Sequence, residues 1–79
     1  MVRIVFTTAS KHHKIARSHA RYVMATCTPT PVVSKRGEAG WLYVGPDERG
    51  VELEVIAVEL ASGDLLVIHV MPTALRGGS

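Results

Sequence analysis

Apolar positions along the chain change period as they go. From Val2 to Phe6 they alternate, with Ile4 and Phe6 on one side and Arg3 and Val5 on the other, which predicts a first strand. From about Lys11 to Ala25 the period is helical. At about 100° per residue, Ala16, Ala20, Val23 and Cys27 share one side, with Ile15 and Met24 at its edges. Thr7, Thr8 or Ser10 supplies a hydroxyl able to cap the first turn. Pro29 and Pro31 then force an extended path, on which Val32-Val33 begins or braces a second strand. A polar, glycine-containing turn over residues 34–40 leads into the strand Trp41-Leu42-Tyr43-Val44. The run Gly45-Pro46-Asp47-Glu48-Arg49-Gly50 is a strong loop signal. Val51 to Leu60 predicts a longer strand with a β-branched centre. Ala61-Ser62-Gly63-Asp64 predicts a short hairpin loop.

The final strand, Asp64 to Pro72, is the most apolar run in the chain and contains one imidazole, His69. A continuous apolar run predicts a strand covered on both faces, hence a central one. Pro72 ends it, because proline has no N–H for the ladder. The order β-α-β-β-β with short loops predicts an α+β domain: a small antiparallel β-sheet with one basic helix packed on one face. The other sheet face is left to solvent or a ligand. Residues 1–76 form this single domain, and 77–79 a frayed, disordered tail.

Length and charge sharpen that picture. A chain of 79 residues buries only about 60% of its unfolded surface, so its core is modest. The net charge of +2 hides an asymmetry. Residues 1–36 contain Arg3, Lys11, Lys14, Arg17, Arg21, Lys35 and Arg36 and no acid, whereas all seven acids follow residue 37. Lys14 lies opposite the apolar helix face, flanked by Lys11, Arg17, Ser18 and Arg21. Such a stripe fits a polyanion-binding face, a solvated helix surface, or contact with an acidic protein. Cys27 is alone, which excludes an internal disulfide and a CxxC metal pair, and a cytoplasmic location is expected. No apolar run reaches the roughly 18 residues a spanning helix needs, so no membrane association is expected.

Four groups can carry chemistry. His69 is either a hydrogen-bonded core residue or an acid/base group facing a ligand; strand parity groups it with Leu65, Val67 and Met71 without saying which face they take. Glu52 and Glu54 share a face with Ile56 and Val58. Across the Ser62-Gly63 hairpin, Glu54 falls roughly 5 Å from the last strand, one strand spacing. It is either a solvated surface residue or a carboxylate that partners an imidazole. Trp41 and Tyr43 share another face and either pack in the core or stack on unpaired bases. The cations Lys14, Arg17, Arg21, Lys35, Arg36 and Arg76 suit phosphate contacts. Histidine-based metal binding is disfavoured, since His12 and His19 are about 10 Å apart along a helix.

Two stretches carry a resemblance. Gly45-Pro46-Asp47-Glu48-Arg49-Gly50-Val51-Glu52-Leu53-Glu54-Val55-Ile56 and Val67-Ile68-His69-Val70-Met71-Pro72-Thr73-Ala74-Leu75-Arg76 resemble segments of BrnT-like toxins, within or near the RelE superfamily of bacterial toxin–antitoxin systems. The helix Lys11-His12-His13-Lys14-Ile15-Ala16-Arg17-Ser18-His19-Ala20 is similar to the basic helix that precedes the meander in these proteins. The resemblance implies an endoribonuclease acting on messenger RNA, with or without the ribosome, held inactive by a cognate antitoxin. It implies cleavage by attack of the RNA 2′-hydroxyl on the adjacent phosphate, with no metal and no cofactor. His69 and Glu54 would then be the acid/base pair and Arg76 the cation on the phosphate. Lys14, Arg17, Arg21, His13 and Tyr43 would bind RNA. The rival reading is a non-catalytic module that binds nucleic acid or protein through the basic helix.

Overall fold

The computed structural model describes residues 3–6, 17–34 and 36–76, and the side chains of these residues up to Ala74. The elements are β1 (Ile4–Phe6), α1 (Arg17–Thr26), β2 (Thr30–Val33), β3 (Ala39–Pro46), β4 (Glu52–Glu59), β5 (Leu65–Pro72) and a single helical turn, α2 (Thr73–Arg76). The strands form one five-stranded sheet in the order β1-β5-β4-β3-β2. The architecture is α+β, with α1 packed on one face of the sheet. The helix cap expected at Thr7, Thr8 or Ser10 and the first part of the expected helix lie outside the described residues. None of the helices among the described residues is long and apolar enough to cross a membrane.

Three hairpins share one plan. In each, the first residue's N–H donates to the carbonyl four residues on, and a glycine N–H donates back to the first residue's carbonyl. The pairs are Ser34 with Glu38 and Gly37, Asp47 with Val51 and Gly50, and Leu60 with Asp64 and Gly63. The three glycines take φ of +81°, +83° and +90°. That left-handed step closes each turn back into the ladder, and only glycine adopts it without cost. Ser34 Oγ accepts from the N–H groups of Arg36 and Glu38, and Asp47 Oδ1 accepts from those of Arg49 and Val51. These short side chains fix the turns through their own backbone.

Expected and observed sheets differ in one pairing. All neighbours are antiparallel except β1 and β5, which run parallel with Ile4 opposite Leu65 and Phe6 opposite Val67. The sheet is therefore mixed rather than antiparallel throughout. This pairing sets Ile4 and Phe6 against the helix-side core beside Leu65, and it makes β5 an interior strand. Asp64 secures the junction by accepting from the Arg3 N–H at 3.0 Å, while Leu65 N–H donates to the Arg3 carbonyl.

The core sits between α1 and the sheet. Ala20 and Val23, the small residues of the helix stripe, meet Tyr43, Leu53, Val55, Ala57, Val67 and Val70. Small side chains bring the helix close, and Gly45 on β3 takes this furthest. A Cβ there would fall on Cys27 Sγ, well inside van der Waals contact. Gly45→Ala is expected to lower the unfolding free energy by about 1–3 kcal/mol, the usual cost of overpacking. Urea denaturation checks this through a lower midpoint at unchanged slope.

Candidate acid/base groove

Where His69 points is decided by a defect in β5. Opposite β4, Ile56 faces His69 but Ala57 faces Val67, so Ile68 is an extra residue in the ladder. Its signature is that Val67 and Val70, three apart, are both buried in the helix-side core. Uninterrupted alternation cannot place two such residues on one face; a β-bulge can. The parity expectation is corrected accordingly. Leu65 and Val67 face α1, while His69 belongs to the opposite face with its cross-strand partner Ile56.

On that face His69 meets Glu54, two residues along from Ile56 on β4. Glu54 Oε2 and His69 Nε2 are 2.9 Å apart. The carboxylate side chain is 9% exposed and the imidazole 34%. A nearly buried carboxylate requires such a partner, because desolvating an unpaired charge is costly. In the tautomer in which Nε2–H donates to Glu54 Oε2, Nδ1 is the ring's acceptor. Among the described residues Nδ1 has no hydrogen-bond partner. Just beyond, Thr73 Oγ1 donates to Glu52 Oε1 at 2.6 Å and ties α2 to β4.

His69 lies in a groove of about 640 Å³. Ile56, Val58, Leu66 and Ile68 of the central strands are its apolar part, joined by Val32 from β2. The β2–β3 turn contributes Ser34, Arg36 and Glu38. Gly40 makes the shape possible. A Cβ there would stand 2.8 Å from the Ala57 carbonyl oxygen and 3.3 Å from Val58 Cγ1, so the bare backbone lets β2 and β4 close together over β3.

The other expected site residues do not gather here. Arg17 and Arg21 belong to α1, on the far side of the sheet. Each guanidinium carbon stands 5.6 Å from the centroid of the Phe6 ring, in cation–π range. Tyr43, expected at an RNA-binding surface, is buried in the helix-side core at 7% exposure, which leaves no ring face for a base. Burial also raises its phenol pKa above the ordinary tyrosine value. Its core neighbour Trp41 donates from Nε1 to Glu59 Oε1. His13, Lys14, Lys35 and the side chain of Arg76 lie outside the described residues.

One histidine cluster was not legible in the sequence. His19 on α1 pairs through Nδ1 with Glu48 Oε1, and Asp47 Oδ2 lies 4.0 Å from the same nitrogen. Among the described residues, these three alone have donor atoms close enough to hold a metal ion. Asp47 is already committed, however. Its Oδ2 accepts from Arg49 Nε and Nη2 at 3.0 and 2.7 Å, and its Oδ1 from two backbone N–H groups. The cluster is a clip between helix and hairpin. No protein-family model, curated protein or solved structure matches the chain. Function is therefore argued from the groove's own chemistry.

The clip predicts acid behaviour. Desolvation pushes the Asp47 carboxyl up, but hydrogen bonds from the Arg49 side chain and from the Arg49 and Val51 N–H groups outweigh it and hold the pKa below the ordinary value. A depressed folded pKa adds stability above the unfolded value of about 3.9, which is lost as pH falls through the lower folded value. Asp47→Asn should therefore be less stable than the parent near neutral pH, with the gap narrowing as pH falls below the unfolded value of about 3.9. Urea midpoints across this range test the expectation.

Proposed function

We propose that the chain is a metal-independent endoribonuclease of the toxin type that its Glu54 and His69 segments resemble, held in check by a cognate antitoxin protein. The observation that supports this most is the His69–Glu54 pair, 2.9 Å apart and half-open to a groove. Cleavage of RNA by its own 2′-hydroxyl needs a base at that oxygen and cations near the phosphate. His69 Nδ1 takes the 2′-hydroxyl proton. The oxygen then bonds to phosphorus, the bond to the 5′-oxygen breaks, and that oxygen takes a proton from water. The products are a 2′,3′-cyclic phosphate and a 5′-hydroxyl. Glu54 is too enclosed to serve substrate directly. Its role in this reading is to fix the ring orientation and stabilise the imidazolium as it forms. Arg76, on the turn that follows β5, is assigned the phosphate charge on its position in the motif.

The rival reading, a binding module that works through the basic helix, is favoured by one feature. Arg17 and Arg21 occupy the face opposite His69, so a single strand of RNA does not meet both at one phosphate. In the nuclease reading these two arginines, with Lys14, hold backbone away from the cut.

Purified protein is expected to degrade RNA in the presence of a chelator. His69→Ala should lower the rate by about 100-fold or more, the usual contribution of an acid/base group. Glu54→Gln, nearly isosteric, should lower it as well while the chain stays folded by circular dichroism. Full activity in folded His69→Ala contradicts the assignment. Salt-sensitive binding that Arg17→Gln weakens, with no cleavage, would establish the rival.

A further inference from the structure

The nuclease reading leaves most of the groove unexplained. His69 stands at one part of it, while six aliphatic residues and a turn bearing one arginine make up much of the rest. Arg36 is exposed, and among the described residues its side chain makes no ion pair and no hydrogen bond. Its backbone is nevertheless held, because the Arg36 N–H donates to Ser34 Oγ in the hairpin turn. A guanidinium without a protein partner, on an anchored turn at the rim of an apolar groove, is suited to an anion whose body is apolar and whose charge lies at one end.

We propose that this groove is a nucleotide subsite, in which a base lies against Val32, Val58 and Ile68 and its 3′-phosphate is gripped by Arg36 at the rim. The inference rests on the nuclease reading for its choice of ligand and adds to it a residue for a phosphate other than the one assigned to Arg76. Three observations support it. A guanidinium offers a planar fork of donors that matches two phosphate oxygens. The aliphatic surface accepts the π-face of any base, so the subsite favours a nucleotide without specifying its sequence. The volume of about 640 Å³ lies within the range of small-molecule sites and exceeds what a bare phosphate fills. Glu38, at the same rim, has one carboxylate oxygen occupied by Ser34 Oγ, which donates to its Oε1 at 3.4 Å. Gly40 bears on the same point, since any side chain there would force apart the strands that frame the apolar part.

Titration of the full chain with adenosine 3′-monophosphate, adenosine and inorganic phosphate, followed by amide NMR shifts, tests this. Adenosine 3′-monophosphate is expected to shift the amides of Arg36, Val58 and Ile68. Adenosine or phosphate alone should bind about tenfold or more weakly, and Arg36→Gln should weaken the nucleotide by about tenfold or more. Tyr22→Phe, an exposed position of α1, should leave the affinity unchanged. Shifts confined to α1, no saturable binding, or an Arg36→Gln affinity within about twofold of the parent would each overturn the proposal. RNA cleavage assayed on the same variants separates the two claims. Nucleotide binding that depends on Arg36, without RNA cleavage, upholds the subsite and removes the nuclease. Cleavage lost in His69→Ala but undiminished in Arg36→Gln removes the subsite and keeps the nuclease.

Discussion

A single extra residue in β5 governs what this domain presents to its surroundings. Ile68 has no counterpart on β4, and the ladder resumes with His69 opposite Ile56 and Val67 opposite Ala57. Were Ile68 paired in regular alternation, His69 would share the face of Val67 and point into the helix-side core, and Val70 would leave it. With the bulge, Val67 and Val70 both remain in the core, and the imidazole reaches a carboxylate on the other face. The two partners depend on each other. His69 gives the nearly buried Glu54 carboxylate a hydrogen-bond partner, and Glu54 in turn holds one ring nitrogen of His69.

The rest of the fold keeps the two faces distinct. On one, a helix lined with small residues settles on Tyr43, Leu53 and Val55, closely enough that Gly45 has no space for a side chain. On the other, Gly40 lets β2 and β4 draw together, and the β2–β3 turn brings Arg36 to the rim of an apolar groove. The repeated hairpin plan supports both faces. A glycine in left-handed conformation ends each turn, so strand registers are set locally and the sheet's long-range geometry follows from them. The helix-to-hairpin clip of His19 with Glu48 ties the β3–β4 hairpin to α1.

Much of this was legible in the sequence. The stripe of Ala20 and Val23, the glycine turns, the interior position of the last strand and the approach of Glu54 to it all follow from period and spacing. Four features do not. A bulge within an all-apolar run leaves no break in alternation to detect, so the face taken by His69 was open. Tyr43 suits a core as well as a surface, and only packing against the helix decides. The parallel pairing of β1 with β5 joins the two ends of the domain, and no local signal encodes it. Likewise, His19 meets Glu48 only because the β3–β4 hairpin folds against α1, a contact between residues far apart in the chain.

The account stands on the side of the sheet from which the His69 ring projects, and nuclear Overhauser contacts from its ring protons read this directly. Contacts to the Glu54 methylenes and to Ile56 are the predicted result. Contacts instead to the methyl groups of Ala20 and Val23 would mean that β5 alternates without a bulge, and they would contradict the account.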